Sequence, residues 1–123
     1  MINNIFLQDA DKKAIEFFLR NIELSGHKLP VDLNELIRYI NNSEAVVEKT
    51  RFYCIIKFHN FGKNFDVFDK IYEMQVLHED APPTVFHMYF KDNYLAEFEF
   101  FNADSSELIE QRLFVGKVLI MSY

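Results

Sequence analysis

Apolar and polar residues alternate through one long stretch in the second half of the chain, which predicts a β-hairpin. In its first half Phe86, Met88 and Phe90 share one side of an extended strand, and the alternation resumes after a short polar interruption at 91–93. A period of two residues is typical of a strand with one buried face. We predict a three-residue loop at 91–93, because it pairs Phe90 with Tyr94 and keeps the apolar residues of both strands on one face.

The same periodicity predicts two helices and five strands along the chain. The expected helices span 9–25 and 32–41, and the expected strands span 52–59, 66–77, 84–90, 94–101 and 112–121. Asp9 or Asp11 is expected to cap the first helix and Asp32 the second, while Gly26 suits the left-handed end of the first. The segment 44–51 fits either a kinked continuation of the second helix or the start of a strand.

Two helices followed by four to five strands on short connections predict a single α+β domain over residues 1–123. We expect an antiparallel meander sheet with both helices on one face, and a polar turn at 59–64. Half of the residues are hydrophobic and 14 are Phe, so a core can form without disulfides or metal. The alternative architecture is a strongly curved sheet that closes over the helices and encloses a ligand pocket.

Composition and charge narrow the class of protein. The formal net charge is −6 and the sequence pI is about 5.1, and the basic residues are scattered, which argues against a nucleic-acid-binding face. No basic region precedes the apolar residues at the N-terminus, and no apolar stretch approaches transmembrane length, so we expect no membrane association. The single Cys fits a reducing compartment, and we expect a soluble cytoplasmic protein.

The residue types that carry enzyme and cofactor chemistry form no recognised motif. The four His lack metal-site spacing, one Cys excludes the usual structural zinc sets, and three Gly form no phosphate-binding loop. Cys54 falls on the expected core side, where an inert buried thiol is favoured. Glu97 and Glu99 form a carboxylate pair, but no predicted cleft would desolvate one of them for acid catalysis. We therefore expect no cofactor, no metal and no catalysis.

A polar face is expected on the side of the sheet that does not pack against the helices. Its members share strand parity and are Tyr53, Lys57, His59, Glu73, Gln75, His87, Tyr89, Glu97 and Glu99, and Leu95 and Phe101 are expected to add apolar contact area. The predicted hairpin register sets His87 opposite Glu97. Tyrosines and carboxylates together favour binding over catalysis, and loop acids at Asp80, Asp92 and Asp104 add charge that attracts a cationic partner. A mixed, solvated sheet face is the simpler interpretation.

The second strand of the hairpin resembles a segment of known bacterial domains. Residues 93–101 read Asn-Tyr-Leu-Ala-Glu-Phe-Glu-Phe-Phe, and Ala-Asp follows at 103–104. This is similar to Gly-Tyr-Leu, two variable residues, Leu-Glu-Ile and an aromatic, then a polar turn with Asp, which occurs in small, mostly uncharacterised bacterial α+β domains. Asn93, Phe98 and Phe100 depart from that pattern, in place of Gly, Leu and Ile.

Small acidic domains of this kind include immunity proteins, the cognate inhibitors of contact-dependent or polymorphic bacterial toxins. The resemblance implies an intracellular, non-catalytic protein that covers the active site of a toxin domain. It carries over no site residues, because such inhibitors use different surfaces for different toxins.

Our leading hypothesis is therefore an immunity-type binding protein whose polar face or adjacent loops dock onto a basic toxin domain. The alternative is a small-molecule-binding domain or enzyme, with a pocket between a curved sheet and the N-terminal helices, lined by Phe and with His87 or Tyr89 pointing inward. A third possibility is a homodimer formed through the exposed sheet face or through the last strand. Monomer and homodimer both remain open.

Overall fold

The computed structural model describes residues 7–59, 65–67 and 69–123. Two helices come first, α1 (Asp9–Leu24) and α2 (Leu33–Asn41). Six strands follow: β1 (Glu44–Lys49), β2 (Tyr53–His59), β3 (Asp69–Leu77), β4 (Thr84–Lys91), β5 (Tyr94–Asn102) and β6 (Lys117–Ser122), with one 3-10 turn at Glu110–Arg112. The α+β class and the antiparallel sheet are confirmed, and the prediction of four to five strands is wrong by β1.

The strand order is β1-β2-β5-β4-β3-β6, and all neighbours are antiparallel. The pairs β1-β2, β3-β4 and β4-β5 are sequential hairpins, whereas β2 lies against β5 and β6 lies outside β3. The predicted meander is therefore wrong. Alternation along a strand reports which side chains are buried, but any antiparallel neighbour satisfies the same backbone groups, so the pattern does not specify the neighbour.

The strand β1 occupies the segment that was ambiguous in the sequence. Only Ala45 and Val47 are buried in this six-residue strand, and three of its other residues are charged: Glu44, Glu48 and Lys49. Two inward residues are too few to distinguish a strand from a kinked helix by periodicity. The predicted polar turn reaches 60–64, which lies outside the described residues.

The hairpin between β4 and β5 has a different register from the predicted one. Asp92 and Asn93 form a two-residue turn with φ of 51° and 68°, the pair of left-handed residues typical of a type I′ turn. Phe90 then pairs with Leu95, and the register shifts so that Ala96 has no partner in β4. This bulge allows Phe98 and Phe100, which follow it in β5, to point into the core after a two-residue turn. The prediction of a three-residue loop is therefore wrong.

The helix ends follow the sequence closely. Asp32 caps α2 by accepting hydrogen bonds from two backbone N–H groups, and Gly26 adopts φ of 86° beyond α1, both as predicted. The cap of α1 is Gln8, so the prediction of Asp9 or Asp11 as cap is wrong. Asp11 instead accepts a hydrogen bond from the backbone N–H of Gln8 at 3.1 Å.

Aromatic rings join the helices to one face of the sheet. Phe18 of α1 meets Phe98 of β5 edge-to-face at 5.3 Å. Phe65 lies between Tyr39 of α2 and Phe90 of β4, with ring centroids 5.4 and 5.5 Å away. These contacts form the core, and the alternate residues of the same strands point to the opposite face. Within the described residues, neither helix has the length and hydrophobicity needed to cross a bilayer.

Candidate binding site on the sheet face

The sheet face opposite the core carries side chains in rows that run across the strands. In the central row Glu99 of β5, His87 of β4 and Glu73 of β3 are direct register partners on adjacent strands. Ile55 of β2 and Met121 of β6 continue the row on either side. We call Glu73, His87 and Glu99 the Glu-His-Glu row. It exists because β4 lies between β3 and β5, so one histidine has a carboxylate on each side.

Hydrogen bonds fix this row. The Nε2 atom of His87 lies 2.7 Å from Oε1 of Glu73, and its Nδ1 atom lies 3.3 Å from Oε1 of Glu99. The Tyr89 hydroxyl donates to the same Glu99 oxygen at 2.6 Å. The Gln75 side-chain amide donates to Oε2 of Glu73 at 2.9 Å. Each carboxylate is therefore held by two side-chain partners.

The arrangement favours a protonated histidine. Carboxylates can only accept, so both contacts are hydrogen bonds only when both ring nitrogens of His87 carry hydrogen. The hydrogen bond to Glu99 and the contact with Glu73 raise the His87 pKa against the opposing effect of burial. The bond from His87 lowers the Glu99 pKa. Burial opposes ionisation of Glu73, but the hydrogen bonds it accepts outweigh burial and lower its pKa.

The row is largely enclosed by its neighbours on the same face. The side chains of Glu73, His87 and Glu99 are only 13%, 16% and 19% exposed. The rings of Tyr89 and Phe101 flank the imidazole at centroid distances of 5.7 and 5.9 Å. Charge-assisted hydrogen bonds are stronger in such partly desolvated surroundings, so the row is a rigid part of the surface.

A second row lies next to the Glu-His-Glu row, towards the β4-β5 turn. Its register partners across the sheet are Lys57, Glu97, Tyr89, Ile71 and Tyr123. Burial and the nearby Glu99 charge raise the pKa of Glu97, and Lys57 only partly offsets them. Burial and the bond to Glu99 also raise the pKa of Tyr89, which therefore remains a neutral phenol. A shallow groove of about 480 Å³ opens beside these two residues.

The predicted face residues come together, with one change of partner. Tyr53, Glu73, His87, Tyr89, Glu97 and Glu99 all lie on this face, as their strand parity requires. His87 lies opposite Glu99, so the prediction that it faces Glu97 is wrong. The two-residue turn and the bulge at Ala96 are the reason, because each shifts the register of β5 by one residue from the predicted pairing.

The predicted loop acids do not join the Glu-His-Glu row. Asp92 lies in the β4-β5 turn, where its backbone N–H donates to Asp69 at 3.3 Å. Asp80 and Asp104 lie at the other end of these strands, in the connections before β4 and after β5. Asp104 accepts a hydrogen bond from the backbone N–H of Ser106 at 2.9 Å. The loop acids therefore border the two ends of the face.

Sequence reasoning missed the apolar contribution of β6 to this face. Leu119 pairs with Gln75 and Met121 pairs with Glu73, so both extend the face beyond β3. The strand parity of β6 could have placed the two side chains together, but only the strand order places them beside the polar residues. Phe101 closes the face on the other side, next to Tyr53.

A separate cleft of about 520 Å³ lies on the core side, between α1, the β1-β2 hairpin and the 107–114 segment. Cys54, Phe100 and Phe114 contribute to its walls, and Lys13 and Arg51 lie at its charged rim. Burial raises the pKa of the Cys54 thiol to about 12, so this thiol is not a nucleophile at neutral pH. His87 and Tyr89 face the other side of the sheet, so the prediction that they point into such a pocket is wrong.

Nothing in the described part of the chain gathers three His, Cys, Asp or Glu side chains closely enough to hold a metal ion. Comparisons with protein-family models, with curated proteins and with solved structures find no match. The resemblance to immunity proteins therefore remains a prediction from the hairpin sequence.

Proposed function

We propose that this chain is a non-catalytic binding protein that docks the sheet face carrying the Glu-His-Glu row onto a basic protein, in the manner of an immunity protein that covers a toxin domain. The observation that carries the proposal is the row itself: three hydrogen-bonded, mostly enclosed ionisable side chains on the sheet face opposite the helices. A face fixed in this way loses little side-chain entropy when a partner binds.

The composition of the face also favours protein recognition. Tyr53, Phe101, Tyr89 and Tyr123 supply large, stiff aromatic area around the polar row. Aromatic anchors around a few fixed polar groups are the usual arrangement at the centre of a protein interface. A catalytic site would instead need a nucleophile or an acid-base pair that faces a cleft.

Glu97 is the residue that best accounts for a cationic partner. Its pKa is raised by burial and by the charge of Glu99, so its negative charge is less well stabilised in the free protein than it would be in water. An Arg or Lys of a partner placed beside Glu97 would offset both effects. The row carries about one net negative charge once His87 is protonated, so long-range attraction comes mainly from the whole-chain charge of −6.

The test uses the immobilised protein and a panel of secreted toxin domains with basic surfaces. A domain that binds is then measured against Glu97→Lys/Glu99→Gln and against a control, Glu23→Lys/Glu107→Gln, which makes the same change in net charge on the helix side. We expect the first variant to associate roughly ten-fold more slowly at low salt, with a weaker salt dependence. The control should change the rate far less.

Equal effects of the two variants would show that only net charge matters and would reject the face as the docking surface. Failure of every basic toxin domain to bind would reject the immunity-type function. Circular dichroism and thermal unfolding of both variants exclude loss of the fold as the cause of a changed rate.

The cleft on the core side supports a second candidate function, the binding of a small amphipathic molecule. Its volume of about 520 Å³ lies within the range of ligand sites, and it combines apolar walls with a charged rim. A small aromatic or aliphatic acid that binds in this cleft should raise the melting temperature, because it binds the folded chain and not the unfolded one. If no compound in such a set raises the melting temperature, the cleft is not a ligand site.

A further inference from the structure

The two edges of the sheet differ in how they are protected. The edge strand β1 carries Glu44, Glu48 and Lys49 among its six residues, and charge on an edge discourages pairing with another chain. The other edge strand, β6, has Lys117 at its start and no charged side chain from there to Tyr123. An apolar, uncharged edge is the kind that accepts another strand.

Exposed apolar side chains also concentrate at this edge. Of the eight large apolar side chains that are exposed in the described chain, three lie in β6 or next to its ends: Val115, Leu119 and Tyr123. Leu119 is 44% exposed although it lies within a strand. A group of this kind is more typical of an interaction surface than scattered single residues are.

The backbone hydrogen bonds show which groups of β6 point outward. Tyr123 and Ile71 exchange two hydrogen bonds, of 2.8 and 3.2 Å. Because bonded and non-bonded pairs alternate in an antiparallel ladder, every second residue before Tyr123 also bonds to β3. The intervening residues Val118, Ile120 and Ser122 therefore direct their N–H and C=O groups away from the sheet.

We propose that a second copy of this chain pairs antiparallel with β6 about a two-fold axis at Ile120. Ile120 then faces Ile120 of the second copy, and Val118 of each copy faces Ser122 of the other. This register gives all the outward N–H and C=O groups of both strands a partner, in six backbone hydrogen bonds. Because only every second residue points outward, the next possible register in either direction differs by two residues, and it leaves one outward residue of each strand without a strand partner.

Charge and geometry favour a second copy as the occupant. Two chains of net charge −6 repel, but the uncharged stretch from Val118 to Tyr123 brings no like charges into contact. The two-fold axis stands normal to the sheet, so both helix layers lie on one side and both Glu-His-Glu rows on the other. Leu119 of each copy then lies directly opposite Met121 of the other and becomes buried. The proposal does not depend on the docking function.

The test is sedimentation velocity of the whole chain at low-micromolar and near-millimolar concentration. The informative variant is Val118→Pro, because the N–H that it removes points outward and the ladder with β3 keeps its bonds. It removes two of the six bonds across the two-fold axis and should raise the dimer dissociation constant at least ten-fold. Leu119→Lys, which sets lysines near each other across the axis, should also weaken the dimer.

The matched control is Phe52→Lys, because Phe52 is 43% exposed and lies in the turn beside β1 at the other edge. It should leave the dissociation constant unchanged. If Val118→Pro proves unfolded by circular dichroism, Leu119→Lys decides. A wild-type chain that stays monomeric at near-millimolar concentration overturns the proposal. A dimer whose dissociation constant is unchanged in the folded β6 variants overturns it as well.

Discussion

Replacing His87 with Gln tests whether the Glu-His-Glu row is held by charge. Gln is neutral at every pH and can still donate one hydrogen bond to Glu73 or Glu99, so it removes the cation and keeps part of the packing. The row is less than one fifth exposed, so solvent screens its charges only in part. The substitution leaves the carboxylates of Glu73 on β3 and Glu99 on β5 without the cation on β4 between them.

The expected cost follows from the two contacts. A hydrogen bond to a charged group contributes about 1.5–3 kcal/mol, and the 2.7 Å bond to Glu73 belongs to this class. The contact with Glu99 is 3.3 Å and contributes less. Because Gln retains one donor and burial of the charges opposes part of the gain, we expect the free energy of unfolding to fall by about 2–3 kcal/mol near pH 6.

The pH dependence of this cost has a defined sign. The His87 pKa is raised in the folded state, so its contribution is complete below the unfolded value of about 6.5 and is lost as pH rises through the folded value. The Glu73 and Glu99 pKa values are lowered, so their contribution is present above about 4.3 and is lost as pH falls through the folded values. The row therefore stabilises most between about pH 4.3 and pH 6.5.

Urea unfolding at pH 6 and pH 9 measures the effect. The cost of His87→Gln should be smaller at pH 9, and a double-mutant cycle with Glu73→Gln should give a coupling energy that shrinks in the same way. A cost that is equal at the two pH values, or larger at pH 9, would refute the charged form of the row. A coupling energy near zero at pH 6 would show that the two side chains do not stabilise each other.

Three further predictions concern the scaffold of the site. Asp11→Ala should lower the free energy of unfolding by about 2–3 kcal/mol. The reason is that this carboxylate is only 3% exposed, binds Lys49 at 2.9 Å and accepts a hydrogen bond at the start of α1. A cost below about 0.5 kcal/mol in urea unfolding would contradict this. Asn93→Gly should raise the free energy of unfolding and Asn93→Ala should lower it, by about 0.5–1 kcal/mol each, because φ at this position is 68°. Urea unfolding measures both variants, and the opposite order would exclude the type I′ turn. Gly116→Ala should lower the free energy of unfolding by about 2–3 kcal/mol or more. The reason is that φ at Gly116 is 149° and an added Cβ would collide with the Leu77 carbonyl. An unchanged thermal unfolding curve would mean that the chain before β6 is free to move.

Local patterns in the sequence determined the helices, most of the strands and the two faces of most strands. The start of β5 is the exception, because the bulge at Ala96 puts Leu95 in the core and leaves Tyr94 exposed, the reverse of the alternation in the sequence. The apolar spacing of α1, the Asp32 cap and the alternation of Phe86, Met88 and Phe90 each depend on neighbours within a few residues, and all were confirmed. Six of the predicted site residues share a face for the same reason, since strand parity is a property of the chain itself.

Only the tertiary structure decided which strands are neighbours and where their registers lie. Glu73, His87 and Glu99 are far apart in sequence, and they form a row only because β4 lies between β3 and β5. The Ala96 bulge, which gave His87 its second carboxylate, and the position of β6 beside β3 were equally hidden. Antiparallel backbone groups bond to any suitable neighbour, so strand order comes from the packing of the whole core, and no short stretch of the chain encodes it.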